Sequence, residues 1–307
     1  MVTSADMLLG GILPGILAVV TLALVWKLTH NAASSWRTAA VVSFLGGIWA
    51  LDAQGVGVAS AIAKAVRITQ AKDFLPLVVI LAVVPDAVAS FGSRGAKFAW
   101  VLRIALCVFV PWRLLWGTKY LPKIASPPGF DTGAWSTSEA ILWIGGVALA
   151  MLATWALVRS ESTEWPRLRS VLAVLAAFAA SVTVSLSGSI TYGQLMGVLV
   201  ATLTGCALAA WIFKLARGPD AATGPIVVAF SSVLVLAHFF AELKLLYAVL
   251  LLVGFAVGAG WFFSGKKWST PLRCAICLAA LGAAVGMAGM DFAAAQAEAA
   301  SNPYSNM

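Results

Sequence analysis

The sequence predicts an all-α fold, a polytopic transmembrane helical bundle of about ten spans, and three observations carry that prediction. Of 307 residues 61% are apolar and only 10% are charged, whereas an ordinary soluble domain has roughly a quarter charged. Mean hydropathy is +0.95, which leaves too few polar groups to cover a water-facing globule. The apolar residues come in continuous runs rather than alternating ones. In hydrocarbon every backbone N–H and C=O has to bond within the protein, which leaves helices or a closed barrel, and unbroken runs select helices.

The first run, Met7 to Trp26, has no basic leading segment, follows Asp6, and is too long for a cleaved signal peptide, so it reads as a retained span over 7–28. Further spans are expected at 37–59, 74–91, 97–117, 138–158, 169–188, 192–215, 224–241, 243–263 and 271–290. The intervals carry loop chemistry: His30-Asn31, Gly92-Ser93-Arg94-Gly95, Ser126-Pro127-Pro128-Gly129, Glu161 to Pro166, Gly218-Pro219-Asp220 and Gly265-Lys266-Lys267. The weakest break is Gly188-Ser189, read as an outer loop rather than a kink, with Ser187, Thr191, Tyr192 and Gln194 as its polar neighbours. The longest loop, 118–137, ends in Ser136-Thr137-Ser138-Glu139, a capping box that would open the fifth span. Residues 1–290 then form a single integral membrane domain, and 291–307 a polar, Ala-rich extracytoplasmic tail.

A net charge of +8 would suit a nucleic-acid partner, but the Lys and Arg residues stand singly or in twos and threes between apolar runs. That spread sets membrane orientation instead, and the lipid bilayer, not nucleic acid, is the expected partner. Twelve cationic residues collect on one side, among them Lys27, Arg37, Arg94, Arg159 and Arg169, against six on the other, so both termini are expected outside a cell (inner) membrane. The long loop is then extracytoplasmic.

A charge at mid-span costs roughly 2.5–3.5 kcal/mol and calls for a partner or water. Asp86 and Arg103 would lie about 8 and 9 Å from the cytoplasmic ends of the third and fourth spans, so adjacent antiparallel helices would pair them. Asp52 and Arg113 would each lie about 23 Å from theirs, close enough in depth to meet near the outer interface. Pro85 and Pro111 stand beside these charges, and a proline frees a carbonyl one turn back, as at the broken helices of transport sites. The competing reading is that both are structural ion pairs pinning helices together. His238 and Glu242, spaced i, i+4, are outer-face candidates for half a proton relay, or for plain capping. Cys274-x-x-Cys277 lacks the second Cys/His pair of a zinc site and reads as small core residues. Gly11/Gly15, Gly193/Gly197, Gly254/Gly258 and Gly282/Gly286 have the spacing of helix-packing faces.

No nucleotide-binding, zinc-protease, serine-hydrolase or haem-attachment motif occurs, so no cofactor, metal or catalytic residue is assigned, and the sequence leans away from an enzyme. The leading expectation is a small-solute transporter or channel-like protein with Asp86 and Arg103 bordering the path. Two alternatives stay open: a non-catalytic scaffold subunit of a membrane complex or homo-oligomer, and a membrane-embedded enzyme acting on a lipid-linked substrate through His238, Glu242 and the 118–137 loop. Ten spans split as five plus five resemble the drug/metabolite transporter plan in architecture. The prolines of spans one, three and four have no counterparts in spans six, eight and nine, and the termini face the other way, so no membership follows.

Overall fold

The computed structural model describes residues 11–56, 70–121, 134–159, 166–215, 219–260 and 269–301, which are helical and contain no strand. The breaks expected at 126–129 and 265–267, most of that at 161–166, Lys64 and Arg67, and the last six residues lie outside them.

Helix α1 (Leu13–Thr29) carries Pro14 in its first turn, where the missing N–H breaks no helical bond, and ends on His30 in left-handed backbone (φ 50°). The Asn31 side chain then accepts the Ser34 N–H at 3.0 Å and starts α2 (Ala32–Val56), so the loop residues read from sequence build a tight helical hairpin. The third predicted span is two short helices, α3 (Leu75–Leu81) and α4 (Val83–Val88), parted at Ala82. The cause is Pro85, which has no N–H for the Leu81 carbonyl.

Helix α5 (Gly92–Leu115) follows after one 3₁₀ turn, Ala89–Phe91, which corrects the expected start at 97. A single residue, Gly92 at φ 84°, reverses the chain, so Ser93, Arg94 and Gly95 enter the first turn instead of forming a loop. The reversal is tight: a Cβ on Gly95 would lie 2.4 Å from the Val88 carbonyl oxygen. It also sets the antiparallel register that brings Arg103 to Asp86 and Arg113 to Phe74.

Ser136 caps α6 (Thr137–Val158) in a reciprocal box with Glu139, as the tetrapeptide predicts. Helices α7 (Pro166–Leu186) and α8 (Ile190–Ile212) form a hairpin through Gly188 at φ 103°, with Ser189 as N-cap, so Gly188-Ser189 is a turn and not a kink. Helices α9 (Thr223–Phe240) and α10 (Leu245–Ala259) precede α11 (Ser269–Ser301), which continues as helix past 290, where the polar tail was expected to begin. Asp291 helps hold that extension. It pairs with Lys244 at 2.6 Å and accepts the Tyr247 hydroxyl.

Helix α9 is the axis of the bundle. Every residue of it is buried except His238 and Phe240, and it packs against α3, α5, α6, α8 and α10. A helix apolar all round has no surface face to offer, so it goes to the centre. Around it, small residues set the close contacts. Gly205 sits against the Gly15 carbonyl, Gly47 against Pro14 and Val198, Gly193 against Ser185, and Gly258 against Cys277 and Leu172. Ser43 of α2 meets Thr202 of α8 at 2.9 Å and bonds the Pro14 carbonyl of α1, joining α1, α2 and α8. Gly282 and Gly286 differ, since a Cβ on either meets nothing within 4 Å.

Among the described residues six helical stretches are long and apolar enough to cross a membrane, and Leu13–Thr29 and Leu245–Ala259 are shorter apolar helices, which does not amount to the ten expected. Outward-facing Ile141, Leu142 and Leu149 are 67%, 72% and 68% exposed. Apolar helices that point large side chains outward are compatible with an integral membrane protein and costly for a water-soluble one.

Candidate functional site

The site is built where the broken α3–α4 segment, α5 and the start of α9 meet. Asp86 lies just past the Ala82 break. Its Oδ1 accepts from Arg103 Nη2 at 3.1 Å, and its Oδ2 accepts the backbone N–H of Gly224 at 2.9 Å. That N–H belongs to the first turn of α9, whose partial positive end favours a carboxylate. The contact requires glycine: a Cβ on Gly224 would lie 2.2 Å from the Ala82 carbonyl oxygen, 2.8 Å from the Trp155 ring and 2.9 Å from Asp86 Oδ2. The break at Ala82 and Gly224 therefore meet at the same point.

Arg103 is fully buried, about 17 Å along α5 from Gly92, deeper within its helix than the sequence register suggested because the helix starts earlier. Its guanidinium carbon stands 5.2 Å from the Trp100 ring centre and 5.7 Å from that of Trp155. Nη2 goes to Asp86, while Nε and Nη1 have no partner, and nor does Trp155 Nε1. Two other buried arginines show the contrast. Arg169 donates to Ala259 O at 2.9 Å and Val158 O at 2.8 Å, and Arg273 donates to Val257 O at 2.9 Å and to Gly258 O. Those two close the C-terminal ends of α6 and α10, where exposed carbonyls and the negative end of the helix dipole favour a cation. Arg103 closes no helix end.

The pair borders a cavity of about 600 Å³ whose other polar lining is Thr29, His30, Asn31, Arg37, Ser90 and Arg159. Arg37 is anchored by Nε to Ala33 O at 3.2 Å, and Arg159 lies 5.9 Å from the same Trp100 ring that Arg103 flanks. Three arginines thus line the same cavity as one carboxylate. From sequence, Arg37 and Arg159 are only orientation charges, because they sit in separate loops far apart along the chain. Gly224 had one signal, Gly-Pro opening an apolar run.

The other candidates fall elsewhere. Asp52 and Arg113 do not meet: Asp52 pairs with Lys72 at 3.6 Å, and Arg113 stacks 3.3 Å over Phe74. Register explains the change, since the 3₁₀ turn before α3 carries Lys72 to α2 and Phe74 to α5. His238 and Glu242 do not share a helical face either. Helix α9 ends at Phe240, Glu242 takes left-handed backbone (φ 57°), and His238 Nδ1 meets Leu243 O at 2.7 Å. His238 lies in an aromatic cluster with Trp143 and Phe239, to which the start of the long loop is tied by the Tyr120 hydroxyl on Phe239 O at 3.0 Å. It also lines a second, mainly apolar cavity of about 490 Å³ between α6, α9 and α10, with Ser231 and Trp143. On the loop after α9, the hydrogen bond to Asp291 raises the Lys244 pKa above its ordinary value. Cys277 is buried against α10, and among the described residues no three His, Cys, Asp or Glu groups converge as metal ligands.

No protein-family model and no curated protein matches the chain. The functional reading therefore rests on this geometry.

Proposed function

We propose that the protein is a multi-pass transporter or channel-like protein for a small solute, with the cavity beside Asp86 and Arg103 forming part of the path. The observation that carries the reading is a buried arginine with unfilled donors, bonded to an aspartate and bordering a cavity of about 600 Å³. A purely structural pair would be expected to satisfy its donors, as Arg169 and Arg273 do. The helix break at Ala82 and Pro111 inside α5 interrupt the backbone ladder of both segments that carry the pair, on its side away from Gly92.

The same reading takes about ten passes through a cell membrane with both termini outside. Its support is the six long apolar stretches, the reversal at Gly92 within the longest of them, the two shorter apolar helices, and the gathering of Arg37, Arg103 and Arg159 at one cavity. The test is Asp86→Asn and Arg103→Leu in cells deleted for the native gene. Uptake of the solute, or the growth that depends on it, is expected to fall at least tenfold while the protein still accumulates in membranes. Unchanged uptake at normal abundance removes Asp86 and Arg103 from the path.

A second reading, an enzyme on a lipid-linked substrate, draws on the apolar cavity under His238, whose size suits a lipid chain and whose buried Ser231 hydroxyl has no partner. It is weaker, because Glu242 does not line that cavity. An unchanged lipid profile after deletion would remove it.

A further inference from the structure

We infer that the cavity bordered by Asp86 and Arg103 binds an oxyanion, the carboxylate or phosphate group of its ligand, through Arg37, Arg103 and Arg159. The inference rests on reading this cavity as the solute path and adds the chemical class of what enters it.

Charge decides the sign. Three arginines and one aspartate line the cavity, so its guanidinium and carboxylate groups leave an excess of two positive charges. The carboxylate is already engaged on both oxygens, by Arg103 Nη2 and the Gly224 N–H, so it has little left to offer a cation. The groups still unfilled are donors, Nε and Nη1 of the fully buried Arg103. Buried donors without partners call for an acceptor, and a charged one repays most. Arg103 and Arg159 also flank the same Trp100 ring, which holds two like charges near each other. An anion between them turns that repulsion into attraction. Guanidinium suits the task, because its planar fork matches the paired oxygens of a carboxylate or phosphate and keeps its charge at any physiological pH. A volume of about 600 Å³ exceeds a bare ion and accommodates an organic solute.

The oxyanion has two possible sources, a soluble solute or the headgroup of an anionic lipid, and the experiment separates them. Full-length protein in lipid-depleted neutral detergent is dialysed against radiolabelled inorganic phosphate and, separately, radiolabelled succinate. At least one is expected to bind saturably, at least tenfold more weakly in Arg37→Gln and in Arg159→Gln, and unchanged in Lys244→Gln, whose cation lies outside the cavity. Binding of neither anion, together with no preference for phosphatidylglycerol over phosphatidylcholine, overturns the inference. So does binding that the Arg37→Gln/Arg159→Gln double variant retains in full. Phosphatidylglycerol binding that requires Arg37 and Arg159, without soluble-anion binding, upholds the oxyanion site and assigns it to a headgroup. Uptake in proteoliposomes is measured in parallel. Anion binding without uptake removes the transport reading and keeps the site, whereas Asp86-dependent uptake of a cation or neutral solute, without anion binding, does the reverse.

Discussion

Three buried arginines carry the same charge to different ends. Arg169 and Arg273 lie against helix ends whose carbonyls would otherwise be unbonded, and there the guanidinium acts as a cap. Arg103 sits mid-helix with an aspartate, two indoles and unfilled donors. Composition cannot distinguish the three, because the difference lies in which backbone groups surround each side chain. Glycines divide in the same way. Gly224 has backbone 2.2 Å from where a Cβ would stand, whereas Gly282 has open space. Gly224→Ala is therefore expected to destabilise the protein by about 1–3 kcal/mol, through overpacking at a point where backbone cannot yield. Gly282→Ala is expected to be neutral or stabilising by up to about 1 kcal/mol, because alanine is the better helix former. Thermal melting of both variants in detergent checks the contrast, and equal melting temperatures would refute it.

At the level of the helices, ends are set by short local signals and interiors by proline. Ser136 with Glu139, Asn31 with Ser34, and Ser189 with Tyr192 each satisfy orphan N–H groups within a few residues, which is why these starts can be read from sequence. Ser136→Ala is expected to cost about 1 kcal/mol, while Ser136→Asp, which keeps an acceptor, costs little. A melting-temperature series on the two variants measures it, and identical values would show that the box contributes nothing. Pro85 acts on an interior. It divides one expected span into α3 and α4, and the break lets the start of α9 approach the Ala82 carbonyl. The start of α5 escaped sequence reading for a related reason. Gly92-Ser93-Arg94-Gly95 has loop composition, but one left-handed glycine completes the turn and the other three residues join the helix.

The bundle is organised around the buried α9, and polar groups gather in a cavity lined by Ala221, just before that helix begins. The proposed layout puts the end bearing His30, Arg37 and Arg159 on the cytoplasmic side and both termini outside. Single cysteines introduced at the termini and at Asn31, in a background where native cysteines are replaced, are expected to react with an impermeant maleimide from outside only at the termini. Labelling of Asn31 alone would invert the arrangement. The open Gly282–Gly286 face of α11 keeps a homo-oligomer or larger complex in view as a partner, which crosslinking from Gly282→Cys would detect.

The membrane class, most helix ends and the Asp86–Arg103 proximity were legible from the chain alone, because each depends on hydropathy run length, on capping within four residues, or on depth along two helices joined by a short turn. The Asp52–Arg113 pairing failed because equal depth does not determine rotation about the helix axis: Lys72 and Phe74 take those two partners instead. The centrality of α9, the role of Gly224, and the meeting of Arg37 and Arg159 with Arg103 were settled only by packing. They depend on which of many apolar helices are neighbours, and in lipid hydrophobicity no longer ranks one neighbour above another. Shape and hydrogen bonding choose instead, and both exist only once the helices are assembled.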